Sequence, residues 1–161
     1  TGHLVFSTLH TNDAASTITR LHDLHIQPFQ IASAVLGVIA TRLIRKLCSQ
    51  CKELHEVTDK ELEILELKRS DIAGKKIYKE GKGCEVCHNY AYKDRMGIHE
   101  LLVLDDQMKE MVMKTQDGSA LRRHAVKNGM KTLRQSAIEK VLQGLTSIEE
   151  AVQKTQTEDI E

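Results

Sequence analysis

"IRKLCSQCKELHE" (residues 44–56) ends a long apolar run on two cysteines three positions apart, and "GKGCEVCHNY" (81–90) repeats that spacing after an interval of 32 residues. Cys48, Cys51, Cys84 and Cys87 are the only cysteines of the chain. Two residues between thiolates let a tight turn present both sulfurs to one ion, and two such turns complete the tetrahedral set that zinc takes in closed structural sites. Inert buried thiols, an iron–sulfur centre and a C-x-x-C redox pair are the other readings of the same residues. Four sulfur ligands leave no coordination position for water, so a zinc held here is structural. His55 and His88 lie beside the pairs, but four thiolates already suffice.

Nothing catalytic stands next to these pairs, and the composition narrows what the chain can do. With 161 residues the chain is long enough for one ordinary domain and an appendage. It has no Trp, two Phe and three Tyr, so its core is aliphatic and it lacks the stacking platforms of single-strand nucleic-acid binders. Lys and Arg together number 23, as do Asp and Glu, without the basic excess that phosphate neutralisation demands; no nucleic-acid partner is expected. The apolar run "PFQIASAVLGVIATRLIRKL" is interrupted by Arg42, Arg45 and Lys46, which argues against a membrane span. A reducing cytoplasm disfavours disulfides and favours a metal. The chain opens without Met on an apolar run, which reads as a cut inside a larger domain.

Along the chain, His3 to Leu9 reads as a buried strand, followed by turn-formers and a helix "DAASTITRLHDL" capped by Asn12, with Ile18 and Leu21 inward. Pro28 opens a second helix whose apolar stripe continues to about Leu47. Thr58 and Glu61 make a capping box between the cysteine pairs, and Thr146 with Glu149 makes another before "SIEEAVQK". Arg95 to Asp105 reads as one strand or a hairpin arm, weakened by Gly97, and everything from Gln107 onward as short helices, with Gly129 and Gly144 as C-terminal caps.

His3 and His10 invite a metal or catalytic reading. In an extended strand, seven residues span roughly 23 Å and an odd separation puts two side chains on opposite faces, so unless the strand breaks early the pair cannot share an ion. His10 falls just past the strand, beside Thr8, Thr11 and Asn12, where α/β folds bind ligands; a purely structural turn histidine is the alternative. Arg42, Arg45 and Lys46 at helical spacing share one face, serving either the helix dipole or a phosphate.

These motifs together resemble a family. "TGHLVFSTLHTNDA" is similar to the histidine box of the bacterial secretion ATPases that power type II secretion and type IV pilus assembly. "LGVIATRLIRKLCSQCK" resembles the segment leading into that family's first cysteine pair. "GKGCEVCHNYAYKDRMGIHELLVLDD" resembles its second pair and following strand, and "GLTSIEEAV" its closing helix. The resemblance implies an α/β fold: part of a RecA-like P-loop ATPase domain with an inserted four-cysteine zinc lobe and a C-terminal helical bundle. The implied division is 1–47 for the ATPase core, 48–87 for the zinc lobe, 88–106 for a return strand region and 107–161 for the helical subdomain.

The resemblance also implies a cytoplasmic homo-hexamer, peripheral to the inner membrane and held by platform proteins there. His10 and His3 would belong to the histidine box, with His10 near the terminal phosphate of ATP. Arg20, Arg42 and Arg45 would be phosphate or subunit-interface contacts, and Cys48, Cys51, Cys84 and Cys87 would hold zinc. Retraction motors of the family generally lack the four cysteines, which points to an assembly-type motor. The chain contains no G-x-x-x-x-G-K-[ST] loop to cradle ATP and Mg²⁺. The expectation is therefore that the parent protein hydrolyses ATP and that this piece alone does not. A self-contained zinc-stabilised module for protein or nucleic acid is the competing reading.

Overall fold

The structure is a computed structural model and describes residues 2–155. It is a mixed α/β chain of two compact units, Thr1–Ala40 with Glu100–Met130 and Thr41–His99 with Lys131–Glu161. Two long strands, β1 (Gly37–Leu47) and β4 (Tyr92–Val103), pair in a two-stranded sheet, and the unit boundary falls within both strands.

The first unit is built on α1 (Ala14–Asp23), α2 (Pro28–Ala34), α4 (Asp106–Lys114) and α5 (Gly118–Lys127). Its core joins Ala14, Ile18, Ile31, Leu102, Met108, Val112 and Leu121, an aliphatic set as the scarcity of aromatics requires. α1 starts at Asp13, whose side chain accepts the Ser16 N–H at 2.8 Å, while the Ser16 hydroxyl lies 3.4 Å from the Asp13 N–H. The cap is thus Asp13 rather than Asn12, because a carboxylate one position closer reaches the first-turn amides. α5 ends in a Schellman turn: Gly129, at φ 97°, donates to Val126 O at 3.0 Å and Met130 to Ala125 O at 2.9 Å.

Two expectations are corrected in this unit. Residues 3–9 form no strand, and Leu4, Val5 and Phe6 are 68%, 78% and 88% exposed. β-prone residues become a strand only beside another strand, and among the described residues no strand pairs with that stretch. The helix from Pro28 stops at Ala34, and Gly37–Leu47 is strand. Its sequence satisfies both periods: Val38, Ala40, Arg42 and Ile44 are the more buried positions, and Ile39, Thr41 and Leu43 alternate outward. β-branched side chains and Gly37 decide for the strand, since a Cβ at Gly37 would lie 3.0 Å from Leu102 O.

The second unit carries both cysteine pairs. Between them lie β2 (Glu53–Leu54), α3 (Asp59–Ile64) and β3 (Tyr78–Lys79), with 3-10 turns at Arg69–Ile72 and Glu85–Cys87. β2 and β3 pair antiparallel, Glu53 opposite Lys79 and Leu54 opposite Tyr78. The Thr58 capping box is as read from sequence: the Thr58 hydroxyl accepts Glu61 N–H, and Glu61 accepts Thr58 N–H at 2.8 Å. α6 (Leu133–Leu142) and α7 (Ile148–Thr155) complete the unit. The cap of α7 is corrected from Thr146 to Ser147, whose hydroxyl accepts Glu150 N–H at 3.1 Å. Thr146 instead donates to Arg45 O at 2.8 Å. Gly144, at φ 69°, closes α6 with the same pair of bonds that ends α5.

Candidate functional site

The first cysteine pair sits where β1 ends. Cys48 N–H donates to Ala91 O at 2.9 Å, and Lys52 N–H returns to Cys48 O at 3.0 Å, so the chain folds back over four residues and turns both sulfurs to one side. The second pair is a tighter turn. Asn89 N–H donates to Cys84 O at 2.9 Å and Tyr90 N–H to Cys87 O at 3.0 Å, with His88, Asn89 and Ala91 all at positive φ. Such a run of left-handed residues is costly and persists only where its surroundings dictate it.

The two turns meet through a glycine-built loop. A Cβ on Gly81 would lie 1.7 Å from Cys51 O, and one on Gly83 2.6 Å from the Asn89 Cα. With these side chains absent, all four sulfurs lie within 4.8 Å of one another. Cys48 and Cys84 are 3.7 Å apart, Cys84 and Cys87 3.7 Å, and Cys51 and Cys87 3.8 Å. A tetrahedral ion with sulfur ligands at about 2.3 Å sets them about 3.8 Å apart. A disulfide would need about 2.05 Å. The cluster therefore fits one tetrahedral thiolate-bound metal ion.

Its electrostatics are graded. Burial and the neighbouring thiols push Cys51 up to about 12. Burial also acts to raise Cys87, but the Cys84 N–H, the Cys84 thiol, the Ala91 N–H and the Cys51 thiol outweigh it and bring Cys87 down to about 6. The N–H of Cys84 lies 3.2 Å from the Cys87 sulfur. The fold thus supplies donors for charge on sulfur before any cation arrives.

His55 turns away from the sulfurs, with Nε2 2.8 Å from Glu61 Oε1. Glu61 is held below its usual range: burial opposes ionisation, but the N–H and hydroxyl of Thr58 and the imidazole of His55 outweigh it.

His10 lies in the loop that enters α1, exposed, and His3 is likewise exposed and outside any element. The loop is tied down beside His10: the Thr11 hydroxyl is 2.8 Å from that of Thr17 and donates to Asp13 O at 3.2 Å. Arg20 is exposed on α1. Arg42 and Arg45 stand on a strand, not at the end of their own helix, and both engage α7. Arg42 Nη1 donates to Lys154 O in its last turn at 2.7 Å, and Arg45 reaches Glu150 in its first.

Sequence reasoning missed three residues that organise these surroundings. Glu150 is wholly buried and accepts both backbone and side-chain hydrogens of Arg45. Tyr92 carries the Arg45 guanidinium 4.1 Å above its ring and donates its hydroxyl to Glu80 at 2.8 Å. Glu100, also fully buried, accepts the Ala14 N–H at 2.9 Å. A carboxylate at an inward position, as in "IHELL" and "SIEEAV", is the signal that could have found the two acids.

Residues 1–153 match the family described as Type II/IV secretion system protein. The chain is 43% identical over 155 residues to the type IV pilus assembly ATPase PilB of Thermus thermophilus, covering 96% of this chain and 17% of that protein. It is 40% identical over 155 residues to the type II secretion system ATPase E of Vibrio cholerae, covering 96% and 30%. It is 41% identical over 158 residues to the type II secretion system protein E of Pseudomonas aeruginosa, covering 98% and 31%. The crystal structure of the pilus retraction motor PilT with bound ADP shares the fold, at a TM-score of 0.57 and 22% identity over 96% of this chain and 33% of that one. This chain, which spans less than a third of the length of those relatives, belongs to the Type II/IV secretion system protein family.

Proposed function

We propose that the chain is the C-terminal part of a hexameric, cytoplasmic ATPase that couples ATP hydrolysis to type II secretion or type IV pilus assembly, docked on platform proteins of the inner membrane. The observation that carries the reading is the sulfur tetrad at tetrahedral spacing in a chain collinear with secretion and pilus ATPases over 96% to 98% of its length. The ion is zinc, held by Cys48, Cys51, Cys84 and Cys87. It supplies no reaction step, because four thiolates leave no open ligand position. Its part is to tie together two turns that are otherwise held by backbone hydrogen bonds and the close approach of Gly81 and Gly83.

The chemistry of the parent then divides between segments. The phosphate loop and the acidic groups that support Mg²⁺ stand outside this chain, whose sequence has no G-x-x-x-x-G-K-[ST] motif. His10, exposed on the loop entering α1, offers a ring N–H to the terminal phosphate, and His3 belongs to the same box. Arg20, Arg42 and Arg45 are candidates for phosphate or subunit-interface contacts; Arg20 is the freest to move, being exposed on α1 without the α7 contacts of the other two. Among the described residues no helix is long and apolar enough to cross a membrane.

The test is ATP turnover by the parent protein, by this chain alone, and by the parent with His10→Ala. The reading expects hydrolysis only in the parent and a marked loss in the variant. Hydrolysis by this chain alone would overturn the division of labour, and an unimpaired variant would remove His10.

A further inference from the structure

Glu100 occupies an inward position of β4 between Ile98 and Leu102, and all three are essentially inaccessible. A buried carboxylate among aliphatic neighbours costs several kcal/mol unless hydrogen-bonded or paired. What compensates here includes the start of a helix: Oε1 accepts the Ala14 N–H at 2.9 Å, from 86 residues away in sequence. Ala14 is the first residue of α1, and its amide is among those a helix cannot satisfy internally. Asp13 already covers Ser16 N–H, so two carboxylates hold this one turn, one local and one from a strand of the core. The favourable field of a helix N-terminus suits both.

The same turn fixes the chain preceding it. Thr17, in the first turn and a half of α1, holds the Thr11 hydroxyl at 2.8 Å, and Thr11 adjoins His10. A hydrogen-bonded path therefore runs from Glu100 through Ala14 N–H and the first turn of α1 to Thr11, which adjoins His10. The local cap sets the helix start, the packing of Ala14, Ala15 and Ile18 seats α1 on the core, and the Glu100 bond fixes its first residue against β4.

We propose that Glu100 is a positioning residue for the His10 loop, locating His10 against a nucleotide by pinning the start of α1 to β4. The inference rests on the reading of His10 as the phosphate-facing residue. It concerns the hydrogen-bond acceptor, not the chemistry, so Glu100 touches no reactant. Displacing a positioned group by about 1 Å can cost about a hundredfold in turnover.

The test uses the full-length parent protein with Glu100→Ala, Glu100→Gln and His10→Ala, measuring kcat and KM for ATP, thermal melting, and amide exchange of residues 8–14. The expected result is that Glu100→Ala lowers kcat about tenfold or more with KM within about twofold, and speeds exchange at 8–14. Glu100→Gln, which keeps an oxygen for the Ala14 N–H, should recover most of the rate. Should Glu100→Ala not fold, Glu100→Asp, one methylene too short to reach Ala14, replaces it. A folded Glu100→Ala or Glu100→Asp protein at near-native kcat beside an impaired His10→Ala protein overturns the proposal, as does a Glu100→Gln protein no better than Glu100→Ala. A fully active His10→Ala protein overturns the reading of His10 instead, and exchange at 8–14 then decides alone whether Glu100 holds the loop.

Discussion

Glu150 grips Arg45 twice over: one carboxylate oxygen accepts the Arg45 backbone N–H at 2.9 Å, and the other accepts Nε at 2.8 Å and Nη2 at 2.5 Å. The acid is fully buried while the arginine side chain is 47% exposed. Both guanidinium nitrogens donate to one carboxylate oxygen, a charge-assisted contact, and it joins the first turn of α7 to β1. Removing the acid leaves a buried amide without its acceptor but lets the half-exposed guanidinium return to water, so the full cost of breaking a buried pair does not apply. Glu150→Ala should lower stability by about 2 kcal/mol, and Glu150→Gln by about 1 kcal/mol, because its oxygen still serves the Arg45 N–H. Urea unfolding at neutral pH measures both.

That pair also sets an acid limb of stability. Burial acts to raise the Glu150 carboxyl, but the Arg45 side chain and N–H outweigh it and hold it below the ordinary range. A carboxyl with a depressed folded value contributes stability that is fully present above its unfolded value and is lost as pH falls through the folded one. Melting should therefore fall as pH drops below about 4.3, the ordinary glutamate value, and Glu150→Gln should flatten the decline. Equal slopes for both proteins would remove Glu150 from that limb.

The four sulfurs predict about one tetrahedral ion per chain. Elemental analysis of purified protein should find zinc near one equivalent, and a strong chelator should lower the melting temperature as the two turns lose their common ligand. Any one of Cys48→Ser, Cys51→Ser, Cys84→Ser or Cys87→Ser should do the same without chelator. Since thiolates bind and thiols do not, acidification should release the ion. Four freely titratable thiols and an unchanged melt with chelator would instead leave the tetrad as packed core.

Gly81 offers a test of the loop rather than of the ligands. A Cβ there would overlap Cys51 O at 1.7 Å, backbone that cannot swing aside. Gly81→Ala should therefore loosen metal retention and destabilise by about 2 kcal/mol or more, through displacement of the first cysteine turn. Lys82→Ala, at an exposed neighbouring position, should be neutral. Equal metal retention in both variants would mean that the loop yields without disturbing Cys51.

The cysteine tetrad was legible because spacing alone encodes it: C-x-x-C closes a turn whatever surrounds it. The capping box at Thr58 and the glycine caps at Gly129 and Gly144 were legible for the same local reason. Apart from the α1 cap, where Asp13 replaces Asn12 for a local reason, the misreadings needed tertiary information. Residues 38–44 satisfy a helix stripe and a strand alternation together, and only pairing with β4 separates them. His3 to Leu9 has strand composition but no strand neighbour among the described residues. Ser147 displaces Thr146 as cap because Arg45 O, a hundred residues away, takes the Thr146 hydroxyl. Glu100 and Glu150 were invisible as organisers because their partners lie more than eighty residues distant.

Tyr92 supplies the alkaline counterpart to Glu150. Its hydroxyl donates to Glu80 at 2.8 Å, lies 2.8 Å from Ser147 Oγ, and sits where ionisation would place two negative charges together. Burial first, then Glu80, raise it to about 12, against the opposing pull of Ser147 and Arg45. A group with a raised folded value contributes stability that is intact below its unfolded value and is lost as pH climbs through the folded one. For a tyrosine that window opens near pH 10 and closes near 12. Tyr92→Phe keeps the ring beneath Arg45 and loses only the hydroxyl bonds, so it should cost about 1 kcal/mol at neutral pH. Its stability should then be flatter than that of the unsubstituted protein across the window. The ultraviolet phenolate titration should also lose a component near pH 12 in the variant; an unchanged titration there would mean that the bond to Glu80 does not hold the Tyr92 proton.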